Sequence, residues 1–166
     1  MTSRTTVSEH TGPVPPADPG LYAEIQQFYA RQVQLLGTED IDSWSRTFAE
    51  DAVFEQETEP GRTFARGAPS HRRGRAAIAA AARGAVQQRR EQKTVRRYLI
   101  GMLDVAPQDD GSVRTEYCAV LIQTGRGEPP VVHLSTTGRD LLVRERDAWQ
   151  VRHRINSHDN KETQRG

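Results

Sequence analysis

Cysteine is nearly absent from this 166-residue chain, where Cys118 stands alone. That excludes an internal disulfide and any thiolate-rich metal centre, and it points to a reducing cytoplasm. Lysine is scarce too: apart from Lys93 and Lys161, all 23 basic side chains are arginine. They face 22 acidic ones, so the net charge is only +1 and no global field draws the chain to nucleic acid or a membrane surface. Long apolar runs are missing. Nothing approaches the ~20 residues of a membrane span, and the start of the chain has no apolar stretch of signal-peptide length, so a soluble cytosolic protein is expected. No glycine-rich phosphate loop and no Gly-x-Ser-x-Gly elbow occurs. His71, His133, His153 and His158 lack metal-ligand spacing, so neither metal nor cofactor is expected.

What is present fits one domain with a real core. Residues 1–17 are polar and carry Pro13, Pro15 and Pro16, which predicts a disordered tail. Asp18-Pro19 reads as a helix start, Leu21, Ile25 and Phe28 share one face, and Gly37 ends the helix. Thr38 can cap a short second helix carrying Ile41, Trp44 and Phe48. Ala52-Val53-Phe54 is a short strand candidate. Residues 55–74 are polar, glycine- and arginine-rich, and suit a pocket rim or lid. A third helix follows from Arg75 to about Arg90, with Ile78, Ala82, Ala85 and Val86 as its stripe. Four strand-like segments then run from Val95 to Val105, Val113 to Gln123, Val131 to Val143 and Trp149 to Ile155. Helices followed by an antiparallel meander predict an α+β layer pair.

Several motifs add to this order. They are Phe28-Tyr29-Ala30-Arg31-Gln32, the run from Trp44 to Phe54, Gly74-Arg75-Ala76-Ala77-Ile78, Arg97-Tyr98-Leu99-Ile100-Gly101-Met102, and the final hairpin with Leu142-Val143-Arg144 and Trp149-Gln150-Val151-Arg152. Across roughly residues 20–160 the chain resembles the nuclear transport factor 2-like superfamily, and within it the SnoaL-like proteins. It is similar to small proteins of aromatic polyketide pathways, including the SnoaL-like protein of the actinorhodin pathway, which are associated with cyclisation or dehydration. The resemblance implies a SnoaL-like domain over 18–160 with a flexible 161–166. It also implies a cone-shaped barrel: a curved antiparallel sheet, mainly a four-strand meander, closed by three helices. A water-poor interior, a homodimer and no cofactor come with it. At Tyr98, where many members carry histidine, the chain departs from the family pattern.

Ring closure or water loss on a poly-β-ketone needs a base for an acidic C–H, a donor for the enolate or leaving hydroxide, and a cavity that folds the substrate. His133 lies in the apolar run Val131-Val132-His133-Leu134, and His153 alternates with Val151 and Ile155, so each is a candidate base or a satisfied core group. Their strands are neighbours in a meander, so the two rings could approach across the sheet. Tyr98, on a face with Ile100 and Met102, and Tyr117, with Ala119 and Leu121, can offer a phenol or simply pack. Asp140 matches the position where SnoaL-like cyclases place an acid/base group; a structural pair with Arg154 is the competing role. Trp44, Phe48, Phe54, Tyr117 and Met102 are expected to bind a hydrophobic small molecule. His158-Asp159 reads as a solvated end, and His71-Arg72-Arg73-Gly74-Arg75 as a solvated loop that an acyl carrier protein could use. The expected function is a cofactor-free cyclase or dehydratase. The alternatives are a non-catalytic accessory chain of the dioxygenase small-subunit type and an isomerase or epoxide hydrolase on the same scaffold.

Overall fold

In the computed structural model, residues 16–57 and 71–159 are described. The expected disordered tail, most of the expected rim over 55–74 and the expected flexible end at 161–166 fall largely or wholly outside them. Helix α1 (Pro19–Gly37) opens where Asp18 accepts a hydrogen bond from the Leu21 amide, with proline in the first turn. Its buried residues Ile25, Tyr29, Gln32 and Leu35 follow the three- and four-residue steps of one helix face. Thr38 closes this helix, its amide and hydroxyl both reaching the Gln34 carbonyl. The cap of α2 (Ile41–Ser45) is therefore Asp40, not Thr38, and α2 ends before Phe48.

Strand β1 (Phe48–Glu57) is longer than the expected Ala52–Phe54, and β2 (His71–Arg73) pairs with it antiparallel. Gly74, at φ 86°, turns the chain into α3 (Arg75–Gln92) while its amide bonds the Ala52 carbonyl. The meander follows as β3 (Thr94–Pro107), β4 (Val113–Gly125), β5 (Val131–Glu145) and β6 (Ala148–His158). The last hairpin turns through Arg146 and Asp147, both at positive φ, as a two-residue turn matched to strand twist requires. Glu24 of α1 holds this hairpin by accepting from Arg144 and from the Trp149 indole.

The six strands form one sheet in the order β2-β1-β6-β5-β4-β3, with β1 parallel to β6 and every other pair antiparallel. This corrects the expected closed antiparallel barrel. The edges β2 and β3 are not paired to each other, so the sheet is open and mixed. Helix α3 touches both edge strands and covers the gap. The core lies between the helices and the inner face, where Ile25, Phe48, Leu142 and Val151 are fully buried.

Within the meander, three strand irregularities decide which side chains look inward. In β3, Met102 and Leu103 oppose a single residue of β4. In β5, His133 is skipped between the pairs Leu121–Leu134 and Ile122–Val132. In β6, Arg152 is skipped between the pairs Leu141–His153 and Leu142–Val151. Each extra residue shifts the alternation by one beyond it.

Candidate functional site

A cavity of about 320 Å³ lies between the inner face and the helices. Its roof is Gln32, Val33 and Leu36 of α1, Trp44 of α2, and the small stripe Ala81, Ala82 and Ala85 of α3. Its floor comes from alternate residues of five strands: Phe54 and Gln56 on β1, Tyr98 and Ile100 on β3, Tyr117 and Ala119 on β4, Leu134 and Thr136 on β5, and Arg154, Asn156 and His158 on β6. A second hollow, of about 490 Å³, opens on the outer face among charged groups such as Asp104, Glu116 and Arg139. Its lining mixes these with Ala106, Leu141 and Ile155 and is more polar than that of the inner cavity.

Beneath the floor runs a buried polar network. Asp140, whose side chain is 0% exposed, accepts from Arg154 Nε at 2.9 Å and Nη2 at 2.6 Å, and from the Tyr29 hydroxyl at 2.8 Å. Tyr29 sits 2.5 Å from Thr115 Oγ1. Arg154 Nη2 also donates to Gln32 Oε1, and Gln32 Nε2 donates to Thr47. The guanidinium stacks over Phe48 and Tyr117 at 5.2 and 5.8 Å from the ring centres. Burial opposes the Arg154 charge, yet Asp140 and the two tyrosines more than offset it and hold the group firmly protonated. Burial, and then the neighbouring Asp140 charge, push the Tyr29 phenol well above its ordinary pKa. Burial likewise raises Tyr117. The Tyr117 ring lies flat on Gly138, its cross-strand partner; a Cβ there would come 2.1 Å from the ring carbon Cζ.

His158 contributes the imidazole on the cavity wall. Thr136 Oγ1 lies 2.5 Å from its Nδ1 and Gln56 Nε2 lies 3.3 Å from its Nε2. Burial lowers its pKa against the opposing pull of Asp159, so the ring is neutral at physiological pH. Nearby, Trp44 Nε1 and Asn156 Oδ1 are buried without a hydrogen-bond partner among the described residues.

The sequence candidates divide on this geometry. Tyr98, Tyr117, Trp44 and Phe54 line the cavity, whereas Phe48 is sealed in the core beneath Arg154. Asp140 is inward but consumed by Arg154 and Tyr29, so it presents no free carboxylate to the cavity. Met102, expected in the wall, is 88% exposed, because the β3 bulge turns it outward at φ 52°. His133 is exposed and contacts Arg96 Nη2 at 2.9 Å; its run of valines is external as well. His153 points to the outer face, 3.1 Å from Glu55 Oε1. The two histidines do not approach one another: Leu141 is the partner of His153, eight positions from His133 and thus roughly 25 Å along the strand. His158, read as a solvated end, is instead inward. The run His71–Arg75 is not one basic patch: Arg72 lines the cavity, His71 and Arg73 face outward, and Arg75 donates to the Phe48 carbonyl.

Sequence reading missed Gln32, Gln56, Thr136 and Asn156 as wall residues. The every-second spacing of Arg154, Asn156 and His158 was a usable signal, hidden by ending the last strand at Ile155. Among the described residues, no group of three His, Cys, Asp or Glu side chains is placed to hold a metal. No helix there is long and apolar enough to cross a membrane.

The model of the SnoaL-like domain matches residues 21–155. The chain belongs to the SnoaL-like family. Among solved structures, Aln2 from a Streptomyces species is 31% identical, with 87% of this chain and 95% of that one covered at a TM-score of 0.73. ActVI-ORFA from Streptomyces coelicolor is 25% identical over 87% and 98%, with a TM-score of 0.74. A Catenulispora acidiphila protein in complex with S-DNPA is 29% identical over 86% and 96%, with a TM-score of 0.68. No curated protein sequence matches the chain.

Proposed function

We propose that this SnoaL-like protein is a cofactor-free cyclase or dehydratase acting by acid–base chemistry on an aromatic polyketide intermediate. One observation carries the reading. An apolar cavity of small-ligand size holds a neutral imidazole and a permanently charged guanidinium on one wall. The similarity to Aln2 and ActVI-ORFA supports it.

With His158 Nδ1 held on Thr136 Oγ1, the substrate displaces the 3.3 Å contact from Gln56 Nε2, and the Nε2 lone pair so released removes a proton from a carbon flanked by carbonyls. Negative charge moves to the substrate oxygen, where Arg154 stabilises it, with the Tyr98 hydroxyl as a further donor. The enolate then closes on a second carbonyl, or expels a β-hydroxyl that leaves as water after the imidazolium returns its proton. Trp44 and Phe54 fold the chain between them, and the Trp44 indole N–H and the Asn156 carbonyl oxygen take up polar groups of the substrate. A homodimer in the cytoplasm completes the reading. It is supported by exposed Val95, Leu99, Met102, Val131 and Val132, which a second copy would cover, and by the unpaired, exposed Cys118.

The test is turnover of a bicyclic poly-β-ketone intermediate, followed by chromatography and mass spectrometry. Wild type should convert it, and His158→Gln should slow conversion at least about 100-fold. Conversion no faster than in buffer would remove the enzymatic reading and leave an accessory ligand-holding role.

A further inference from the structure

The imidazole on the cavity wall belongs to the last residue of β6, and strand ends fray. Toward β1 the final rung among the described residues is Glu57–Ser157, one position short of His158. Beyond His158 the strand is fastened to β5 instead. The Asp159 amide donates to the Ser135 carbonyl at 2.9 Å. An antiparallel ladder alternates hydrogen-bonded pairs with closer, non-hydrogen-bonded ones, so a bonded rung at Asp159 makes Thr136–His158 a close pair. That is why Thr136 Oγ1 reaches Nδ1 at 2.5 Å. Asp159 makes a second bond to the same residue, its Oδ2 accepting from Ser135 Oγ at 2.9 Å. Two bonds from one exposed residue thus fix the rung next to the imidazole.

We propose that Asp159 is a positioning residue: fastened twice to Ser135, it locks the end of β6 so that Thr136 keeps His158 in the Nδ1–H tautomer with Nε2 turned to the cavity. This rests on His158 being the base, as proposed above. The Asp159 carboxylate also sets the charge around the ring. Every charged side chain of the cavity wall is an arginine, Arg72, Arg89, Arg96 or Arg154, and of these Arg154 is neutralised by Asp140. Helices α1 and α2 present no charge there, and β4 presents the Tyr117 phenol, which burial keeps neutral. On β1, Gln56 is uncharged and Glu57 is held by Arg139 and Ser157. Asp159 is the carboxylate that pulls the imidazole upward against burial, so the ring is a stronger base than its apolar surroundings alone would leave it.

Imidazole NMR of the full chain, with the His158 signals identified by their loss in H158Q, tests this without any substrate. Long-range ¹H–¹⁵N spectra report the tautomer and a pH series gives the midpoint. Wild type should show the Nδ1–H tautomer. Asp159→Asn keeps an acceptor for Ser135 and removes the charge, so the midpoint should fall by about 0.5 pH unit or more with the tautomer retained. Ser135→Ala keeps the charge and removes the side-chain bond, so the tautomers should mix while the midpoint moves by less than about 0.2 unit. Asp159→Ala should do both, and its kcat on the bicyclic poly-β-ketone should fall about tenfold with KM within about twofold of wild type. A tautomer as pure in D159A and S135A as in wild type overturns the positioning role, even if both variants melt lower, because lost stability alone is what a merely structural bond gives. A midpoint unmoved in D159N overturns the electrostatic part. If D159A does not fold, D159N and S135A decide. Turnover with unaltered His158 signals in the variants would sink this inference alone, whereas altered signals in a protein that never turns over would sink the cyclase reading alone.

Discussion

Replacing Asp140 with asparagine keeps the volume of the side chain and removes its charge. In the native fold that carboxylate is 0% exposed and accepts two bonds from Arg154 and one from Tyr29. Asparagine has one acceptor oxygen, and its NH₂ group must face either the guanidinium or the phenol, donor against donor. Arg154, with 7% of its side chain exposed, would become a buried cation with no counter-charge. Breaking such a pair from one side costs about 3–5 kcal/mol, a large share of the roughly 5–15 kcal/mol that holds a domain folded. With a denaturant slope of about 2 kcal/mol/M, the urea midpoint should fall by about 1.5–2.5 M. Arg154→Met alone strands the carboxylate and should be similarly harmful. The double variant D140N/R154M removes the mismatch and should lose clearly less than the sum of the two. A D140N midpoint within about 0.5 M of wild type, or strict additivity in the double variant, would refute the coupling.

Gly138→Ala should destabilise by about 1–3 kcal/mol, because the new Cβ meets the Tyr117 ring; a thermal melt with near-ultraviolet circular dichroism would report both the loss and the displaced ring. Turnover should need neutral His158. Its lowered pKa therefore places the acid limb below the ordinary histidine value near 6.5, and the limb should vanish from the residual activity of H158Q. Stability carries the same sign: an imidazole that resists charging in the fold supports folding above the unfolded-state pKa and loses that support as pH falls, which acid titration of the melting temperature would show. His133→Ala and His153→Ala should leave turnover within about twofold of wild type and change stability by no more than about 1 kcal/mol, since the His133 ring is exposed beside Arg96 and the His153 ring lies on the outer face beside Glu55.

Much of the architecture could be read from the chain because its signals are local. Asp18-Pro19 caps α1, the alanines and Ile78 mark α3, and each meander strand lies between recognisable turns. Closure could not be read that way. Whether β2 reaches β3 depends on the curvature of the whole sheet, and the parallel return of β1 beside β6 is a contact between residues about 100 positions apart. The site was legible only as far as strict alternation held. Tyr98 and Tyr117 precede any bulge on their strands and fell on the expected face. Met102, His133 and His153 sit in or next to a bulge, where counting by twos assigns the wrong side. His158 lay beyond an assumed strand end, although the β6 ladder runs through it.

The roof has a consequence for how such a protein changes its diet. Ala81, Ala82 and Ala85 meet the hollow with the smallest side chains that still have a Cβ, and they do so from a helix bound to no strand ladder. Enlarging one of them would shorten the room available to a ligand without moving the imidazole or disturbing a strand register. Preference for bulkier or slimmer molecules can thus drift through single substitutions in α3, while the reactive groups on β6 stay where they are.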